Sequence, residues 1–378
     1  MGLKVKEAGV FVDVGGGGTI VEWARPGDWP ALPAVAATNQ VFRGLHAVFN
    51  SESNFATIRC TGAFTVDWGD GSSPVNIPSN TTAQHNYSYL ASGLSAVTSR
   101  GYKTAIVTVI PQAGQTLSAI DLSLKHTQAG LVNGRSSQWL DIRIAMNNVG
   151  TVTTRLNTNW LHRFLEQFEW VGGSSTQASY IGFLQDTPSL QSLPLFNTGA
   201  GNNFSSFLSN TGLRSVPLFN TAAGTNFSGF MSGNLFIKTL PLFNTAAGTN
   251  FSNFVVNNSS LQSVPLFSMG AGSNFSGCLN NNPSLQAIPA LNMSGGTNMS
   301  NTFLNCPSLS RIQATFPANQ NINLANLSIG PAEANEIFNN LPTASGSPRI
   351  ITMTGNWATT QGSYNPSIAT AKGWTVTV

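Results

Sequence analysis

Val216-Pro217-Leu218-Phe219-Asn220, followed by Asn226-Phe227-Ser228, returns as Leu240-Pro241-Leu242-Phe243-Asn244 and Asn250-Phe251-Ser252. The same two blocks stand upstream as Leu193-Pro194-Leu195-Phe196-Asn197 and Asn203-Phe204-Ser205. Downstream they read Val264-Pro265-Leu266-Phe267 with Asn274-Phe275-Ser276, then Ile288-Pro289-Ala290-Leu291-Asn292 with Asn298-Met299-Ser300. The prolines step by 217 − 194 = 23 residues and then by 24 each time. A third apolar pair closes each unit: Phe207-Leu208, Phe230-Met231, Phe254-Val255, Cys278-Leu279 and Thr302-Phe303. Self-similarity at this period marks a stacked-repeat architecture, because one short unit cannot bury its own Leu and Phe side chains while stacked neighbours can.

The Leu-x-x-Leu-x-Leu skeleton of these units reads Leu190/Leu193/Leu195, Leu213/Val216/Leu218, Ile237/Leu240/Leu242 and Leu261/Val264/Leu266. Looser copies lie upstream at Leu117/Ile120/Leu122, Trp139/Ile142/Ile144 and Leu165/Phe168/Trp170, and downstream at Leu285/Ile288 and Leu309/Ile312. The coils are therefore expected to begin near residue 112 and to number nine. Each is expected to supply a short parallel strand with Pro at its end where the chain turns outward, a Gly turn and one turn of helix, the Leu and Phe columns being covered by the neighbouring coils. Asn203, Asn226, Asn250, Asn274 and Asn298 then act as helix N-caps or as a side-chain ladder. Stacked like charges repel. Residues 171–310 accordingly carry only Asp186, Arg214 and Lys238, with Asn, Ser, Thr and Gly in place of charge.

The rest of the chain fits a mainly β fold. Residues 41–111 alternate as strands do, and Ala63-Phe64-Thr65-Val66-Asp67-Trp68 runs into the turn Gly69-Asp70-Gly71. A small PKD/Ig-like β-sandwich is expected there, then the leucine-rich-repeat solenoid over 112–313 and a cap over 314–378. In the cap, Pro331 to Asn340 reads as one amphipathic helix, and Ile350–Met353 and Trp374–Val378 as closing strands. Residues 1–40 form an arm with a Gly15–Gly18 hinge and an apolar Trp23, Pro26, Trp29 segment too short for its own core. Such a segment packs on its own sandwich or anchors a partner chain.

Composition narrows the function classes. The 378 residues carry a net charge of +3 and no basic run, so no nucleic-acid footprint is expected. No apolar stretch reaches membrane-spanning length, and Met1–Lys6 lacks the apolar run of a secretion signal. Cys60, Cys278 and Cys306 are odd in number and widely spaced, against a disulfide framework or a zinc site. Cys278 holds a position otherwise filled by Phe207, Phe230 and Phe254 and reads as a small core residue.

Three stretches carry a resemblance. Val66-Asp67-Trp68-Gly69-Asp70-Gly71 with His85-Asn86-Tyr87 resembles the signature of PKD-like β-sandwich domains. The 24-residue unit resembles the BspA-type leucine-rich repeat of bacterial surface antigens, with Asn197, Asn220 and Asn244 where that family usually has Asp. The whole layout is similar to virion proteins of tailed bacteriophages, through Trp23…Arg25-Pro26-x-Asp28-Trp29, Gly44-Leu45-His46-Ala47-Val48-Phe49 and Lys372-Gly373-Trp374-Thr375-Val376. The resemblance implies a non-enzymatic tail fibre or surface appendage that contacts other virion proteins through its N-terminal arm, as a possible homo-oligomer. A bacterial surface adhesin and a capsid decoration protein are the alternatives.

No catalytic constellation emerges. Glycan cleavage needs a close carboxylate pair, yet the regular repeats hold one carboxylate, Asp186. The histidines are scattered, Gly15–Gly18 lacks the Lys-Ser/Thr of a phosphate loop, and no Gly-x-Ser-x-Gly occurs. Asp67 and Asp70 flank one turn, which supplies too few oxygens for calcium. No cofactor is expected. The contact candidates are instead Gln191, Arg214, Lys238, Gln262 and Gln286, one column of amides and cations at the outward side of the coils, suited to a host glycan or protein edge. The Phe columns read as an internal spine.

Overall fold

A computed structural model describes the chain except residues 1–2, 8–9, 15–22, 52–53, 128–136, 147–150, 154–161, 175 and 347; the Gly15–Gly18 segment lies outside the described residues. Among the described residues the fold is mainly β, with two α-helices and a β-solenoid of about eight turns. Contacts divide the chain into two units, one of residues 1–177, 184–197 and 211–213, the other of residues 178–183, 198–210 and 214–378.

In the first unit β1 (Leu3–Glu7) and β2 (Val10–Val14) pair as an antiparallel hairpin. Next come β3 (Gln40–Val48), β4 (Phe55–Thr61), β5 (Phe64–Asp67), β6 (Val75–Ile77), β7 (Thr82–Asn86) and β8 (Lys103–Pro111). They are followed by β9 (Ala119–Asp121), β10 (Trp139–Met146), β11 (Thr151–Thr153) and β12 (Gln167–Val171). One sheet has the order β12-β10-β3-β8-β5-β6 and the other β11-β9-β4-β7. Their buried sides meet where His46 Nε2 of β3 lies 3.0 Å from the Phe55 carbonyl oxygen of β4. Burial holds His46 down to about 3, since a charged imidazole there would lack solvation.

The looser copies near residue 112 combine two kinds of pairing, and β9 runs parallel to β11. The Leu117 and Trp139 copies are strands β9 and β10, and each has an antiparallel neighbour from the front of the chain: β4 for β9 and β3 for β10. β10 does stack parallel on β12 with the offset of a coil, Ile142 opposite Phe168 and Ile144 opposite Trp170. The periodic Leu pattern reports a buried strand face, and that face is the same whether the neighbour runs parallel or antiparallel. Gln167 bridges onward to Ser192 in parallel.

In the second unit the Asn-Phe-Ser block, rather than the Leu-Pro-Leu block, carries most of the ladder. Asn203, Asn226, Asn250, Asn274 and Asn298 bridge in parallel from coil to coil. The amides of Phe204, Phe227, Phe251 and Phe275 each donate to the Asn carbonyl of the next coil at 2.8–2.9 Å. Each of these Asn side chains turns back and accepts from the amide two residues on at 3.1 Å, an Asx turn. The expected helical turn is absent there. Ser206, Leu208 and Asn210, and in the next coil Gly229, Met231 and Gly233, are left-handed at every second position, a pattern no α-helix accommodates.

Inside run the phenylalanines. Phe204, Phe227, Phe251 and Phe275 stack nearly parallel at 5.6–5.7 Å, and Phe207, Phe230 and Phe254 stack at 5.5–5.6 Å. The two columns meet edge to face, as at Phe227 and Phe230 5.4 Å apart, the arrangement ring quadrupoles favour. Cys278 continues the second column, fully buried, and burial pushes its thiol up. Thr198, Thr221 and Thr245 hydroxyls each donate 2.7 Å to a carbonyl of the following coil.

Each ring of the first column sits over a glycine. A Cβ on Gly248 would lie 2.4 Å from Cζ of Phe251 and 3.0 Å from Cδ2 of Phe227. Gly248→Ala is therefore expected to lower stability by about 1–3 kcal/mol through overpacking, measured as a drop in the denaturant midpoint at unchanged slope. Ala substitution at Gly362, where a Cβ meets nothing within 4 Å, is the matched control.

Further strands are β13 (Ala287–Ile288) and β14 (Arg311–Ile312), paired in parallel, and β15 (Ile322–Asn323). Helix α1 (Pro331–Asn340) spans the expected residues, with Pro at its start and Ala334, Ile337 and Phe338 buried. β16 (Arg349–Thr352) and β17 (Trp374–Thr377) close a parallel three-stranded sheet with β15. The single-helix expectation is corrected by a second short helix, α2 (Ser367–Thr370), a single turn whose first amide donates 3.2 Å to the Asn365 side-chain oxygen.

Candidate binding face

The outward side of the second unit's coils is built from the Leu-Pro-Leu-Phe block. The amides of Phe219, Phe243 and Phe267 donate back to the carbonyls of Pro217, Pro241 and Pro265 at 2.8–3.0 Å, closing a three-residue turn around one leucine. Pro fixes the turn's start, the Phe swings inward, and the leucine is left at the apex. Leu218, Leu242 and Leu266 are 56, 56 and 55 % exposed. The third Leu position of the skeleton thus faces solvent, contrary to expectation; period alone does not reveal a turn that reverses the direction of a side chain.

Beside this ridge lie the anticipated contact residues. Lys238, Gln262 and Gln286 are exposed and fall into one column. The Gln262 amide donates to the Lys238 carbonyl at 2.9 Å, and the Gln286 amide to the Gln262 carbonyl at 3.1 Å. Arg214 is also exposed, but its guanidinium covers the Phe236 ring at 5.0 Å. In the first unit Gln191 is half-buried, its amide bonded to the Glu166 carbonyl at 2.8 Å. Ser215, Thr239 and Ser263, each the residue after a column position, are exposed as well.

The arm resolves differently. Trp29 is buried with Leu32, Leu45, Ala47, Tyr102 and Leu140, and its indole donates 3.1 Å to the Tyr102 hydroxyl. Trp23 donates 2.9 Å to a Glu166 carboxylate oxygen, and Pro26 closes a turn to the Trp29 amide. Arg25 pairs with the buried Asp141 at 2.8 Å and donates to the Trp29 and Pro30 carbonyls. Burial pushes the Asp141 carboxyl up in spite of that cation. Trp29 therefore packs within the cluster of its own unit.

The Asp67 and Asp70 oxygens are engaged by the turn itself. Asp67 accepts from the Gly69 amide at 2.9 Å. Asp70 accepts from Ser72 through both amide and hydroxyl, and lies 2.8 Å from His85 Nε2. His85 stacks on Trp68 at 5.0 Å, a packing role. Among the described residues no group of three or more His, Cys, Asp or Glu is placed to hold a metal.

Sequence reasoning missed a buried polar column, Asn234, Asn258 and Asn282, followed at the same spacing by Cys306. The Asn258 side-chain oxygen accepts from the Asn234 amide at 2.8 Å, and that of Asn282 from the Asn258 amide at 2.9 Å. Asn282 also donates to the Val255 and Leu279 carbonyls at 2.8 and 2.7 Å. Its 24-residue spacing was the available signal, masked by more conspicuous Asn residues nearby.

No protein-family model, curated protein or solved structure matches this chain.

Proposed function

We propose that this chain is a non-enzymatic structural protein of a bacteriophage virion, a tail fibre or comparable surface appendage, which presents its coils to the host surface. The observation that carries the proposal is the in-register outward face, where Lys238, Gln262 and Gln286 form one column and Leu218, Leu242 and Leu266 are left exposed in successive coils. A face that repeats from coil to coil meets a repeating host polymer through many weak equivalent contacts, which add by effective concentration. The front unit attaches to the particle by its surface, since Trp29 is committed to its own core.

The finer identities belong to the same proposal. The strand Phe64–Asp67 entering the Gly69-Asp70-Gly71 turn, with His85 against Trp68, supports a PKD-like front domain. The parallel pairing of Ala287–Ile288 with Arg311–Ile312 in the Leu-x-x-Leu register supports leucine-rich repeats of BspA type. Immunogold labelling of particles with antibody against the chain tests the proposal. Label is expected on external projections; label confined to the capsid interior, or to bacterial envelopes with none on particles, overturns it.

A further inference from the structure

The front unit holds a shallow cavity of about 490 Å³, within the range of small-molecule sites. It lies between the loop after β3 and the chain leaving β7, and is lined by Asn50, Ser51, Asn86, Ser88, Tyr89 and Leu90. Tyr87 completes the lining, buried and held by its hydroxyl to the Trp68 carbonyl at 2.9 Å. None of these lining residues carries a formal charge. They offer two carboxamides, two hydroxyls, a half-buried ring and an aliphatic side chain 86 % exposed.

The described residues of both walls are held by hydrogen bonds. Asn54, fully buried, clamps the first loop: its side-chain oxygen accepts from the Phe49 amide, and its nitrogen donates to the Phe49 and Ser51 carbonyls, all at 2.8 Å. The Tyr87 amide donates to the Asn54 carbonyl at 2.8 Å, tying the two walls together. On the other side Lys103 Nζ donates 3.1 Å to the Tyr89 carbonyl and rests 4.8 Å from the centre of its ring. A pre-set wall loses little ordering entropy on binding, so weak polar contacts yield net affinity.

We infer that this cavity is a binding site for a neutral saccharide unit. Carboxamides that both donate and accept match vicinal hydroxyls. Tyr89 and Leu90 match the apolar face of a pyranose ring, because an aromatic side chain combines an apolar body with a polar tip. Among the described lining residues an anionic sugar finds no guanidinium or ammonium, and Lys103 is engaged with Tyr89. The inference does not rest on the outward face of the coils, and either can fail alone.

Saturation-transfer NMR on the full chain tests it with maltotriose, cellotriose, an N-acetylglucosamine trimer and a galacturonate trimer as probes. At least one of the three neutral probes is expected to receive saturation. Its affinity should fall about tenfold or more in Tyr89→Ala and in Asn86→Ala, one tenfold step corresponding to about 1.4 kcal/mol. Asn86→Ala keeps the main-chain pairing of β7 and decides the matter if Tyr89→Ala fails to fold. No transfer to any neutral probe, transfer only to galacturonate, or equal binding by the folded variants overturns the inference.

Discussion

Asn282→Ala is expected to lose about 3–6 kcal/mol of stability, a large share of what holds a domain together. The side chain is fully buried and makes three inter-coil or intra-coil hydrogen bonds. Its removal orphans the Asn258 amide and leaves the Val255 and Leu279 carbonyls each short of a donor. Each unsatisfied buried group costs about 1–3 kcal/mol, less where a carbonyl keeps another partner. Leu279 does keep one, since the Cys306 thiol lies 3.0 Å from the same oxygen, which places the expected loss inside the range rather than above it. Urea unfolding of Asn282→Ala beside Gln286→Ala checks this. The exposed glutamine is expected to change stability by less than about 0.5 kcal/mol. Equal midpoints for the two variants would show that the buried asparagine column does not bind the coils together.

That column marks the limit of what the sequence disclosed. The period was legible because leucine and phenylalanine are the residues a coil must hide, so the burden of burial writes itself into the spacing. The Phe spine, the buried Cys278, the cap helix over Pro331–Asn340 and the scarcity of charge all follow from that one requirement. Polar satisfaction leaves a fainter trace. An asparagine that caps a turn on the surface and one that bridges carbonyls in the core share a composition, and only the fold separates Asn250 from Asn258. Backbone handedness is fainter still: Leu208 and Met231 adopt left-handed conformations that no local propensity favours, imposed by the stacking of neighbouring coils. The same holds for the exposed leucines. Their apolar character argued for burial, and the three-residue turn after Pro217, Pro241 and Pro265 turned them outward. The candidate column was therefore legible as a row of positions, while the aliphatic ridge that accompanies it was not.

Arg25→Ala is expected to cost about 3–5 kcal/mol at pH 7, because it strands a carboxylate that is itself buried. Asp141 has a side chain 2 % exposed, and Arg25 Nε is its ion-pair partner at 2.8 Å. The same guanidinium holds the Trp29 and Pro30 carbonyls, so its loss also frees the arm from the Leu32, Leu45 and Tyr102 cluster. The pH dependence has a definite sign. Burial already raises the Asp141 carboxyl in the intact protein, and the two lowering contributions of Arg25 vanish in the variant, so the carboxyl rises further. A raised carboxyl takes up its proton in the folded state first, so the penalty of the variant shrinks as pH falls from 7 toward the folded-state value. Asp141→Asn in the Arg25→Ala background removes the stranded charge and is expected to recover part of the loss at pH 7. Limited proteolysis supplies the structural readout: cleavage within residues 23–40 should accelerate in Arg25→Ala and return toward the parent rate in the double variant. Unchanged proteolysis with unchanged stability would mean that the arm is held by apolar contact alone, and that Trp29, rather than the ion pair, fixes it to its own unit.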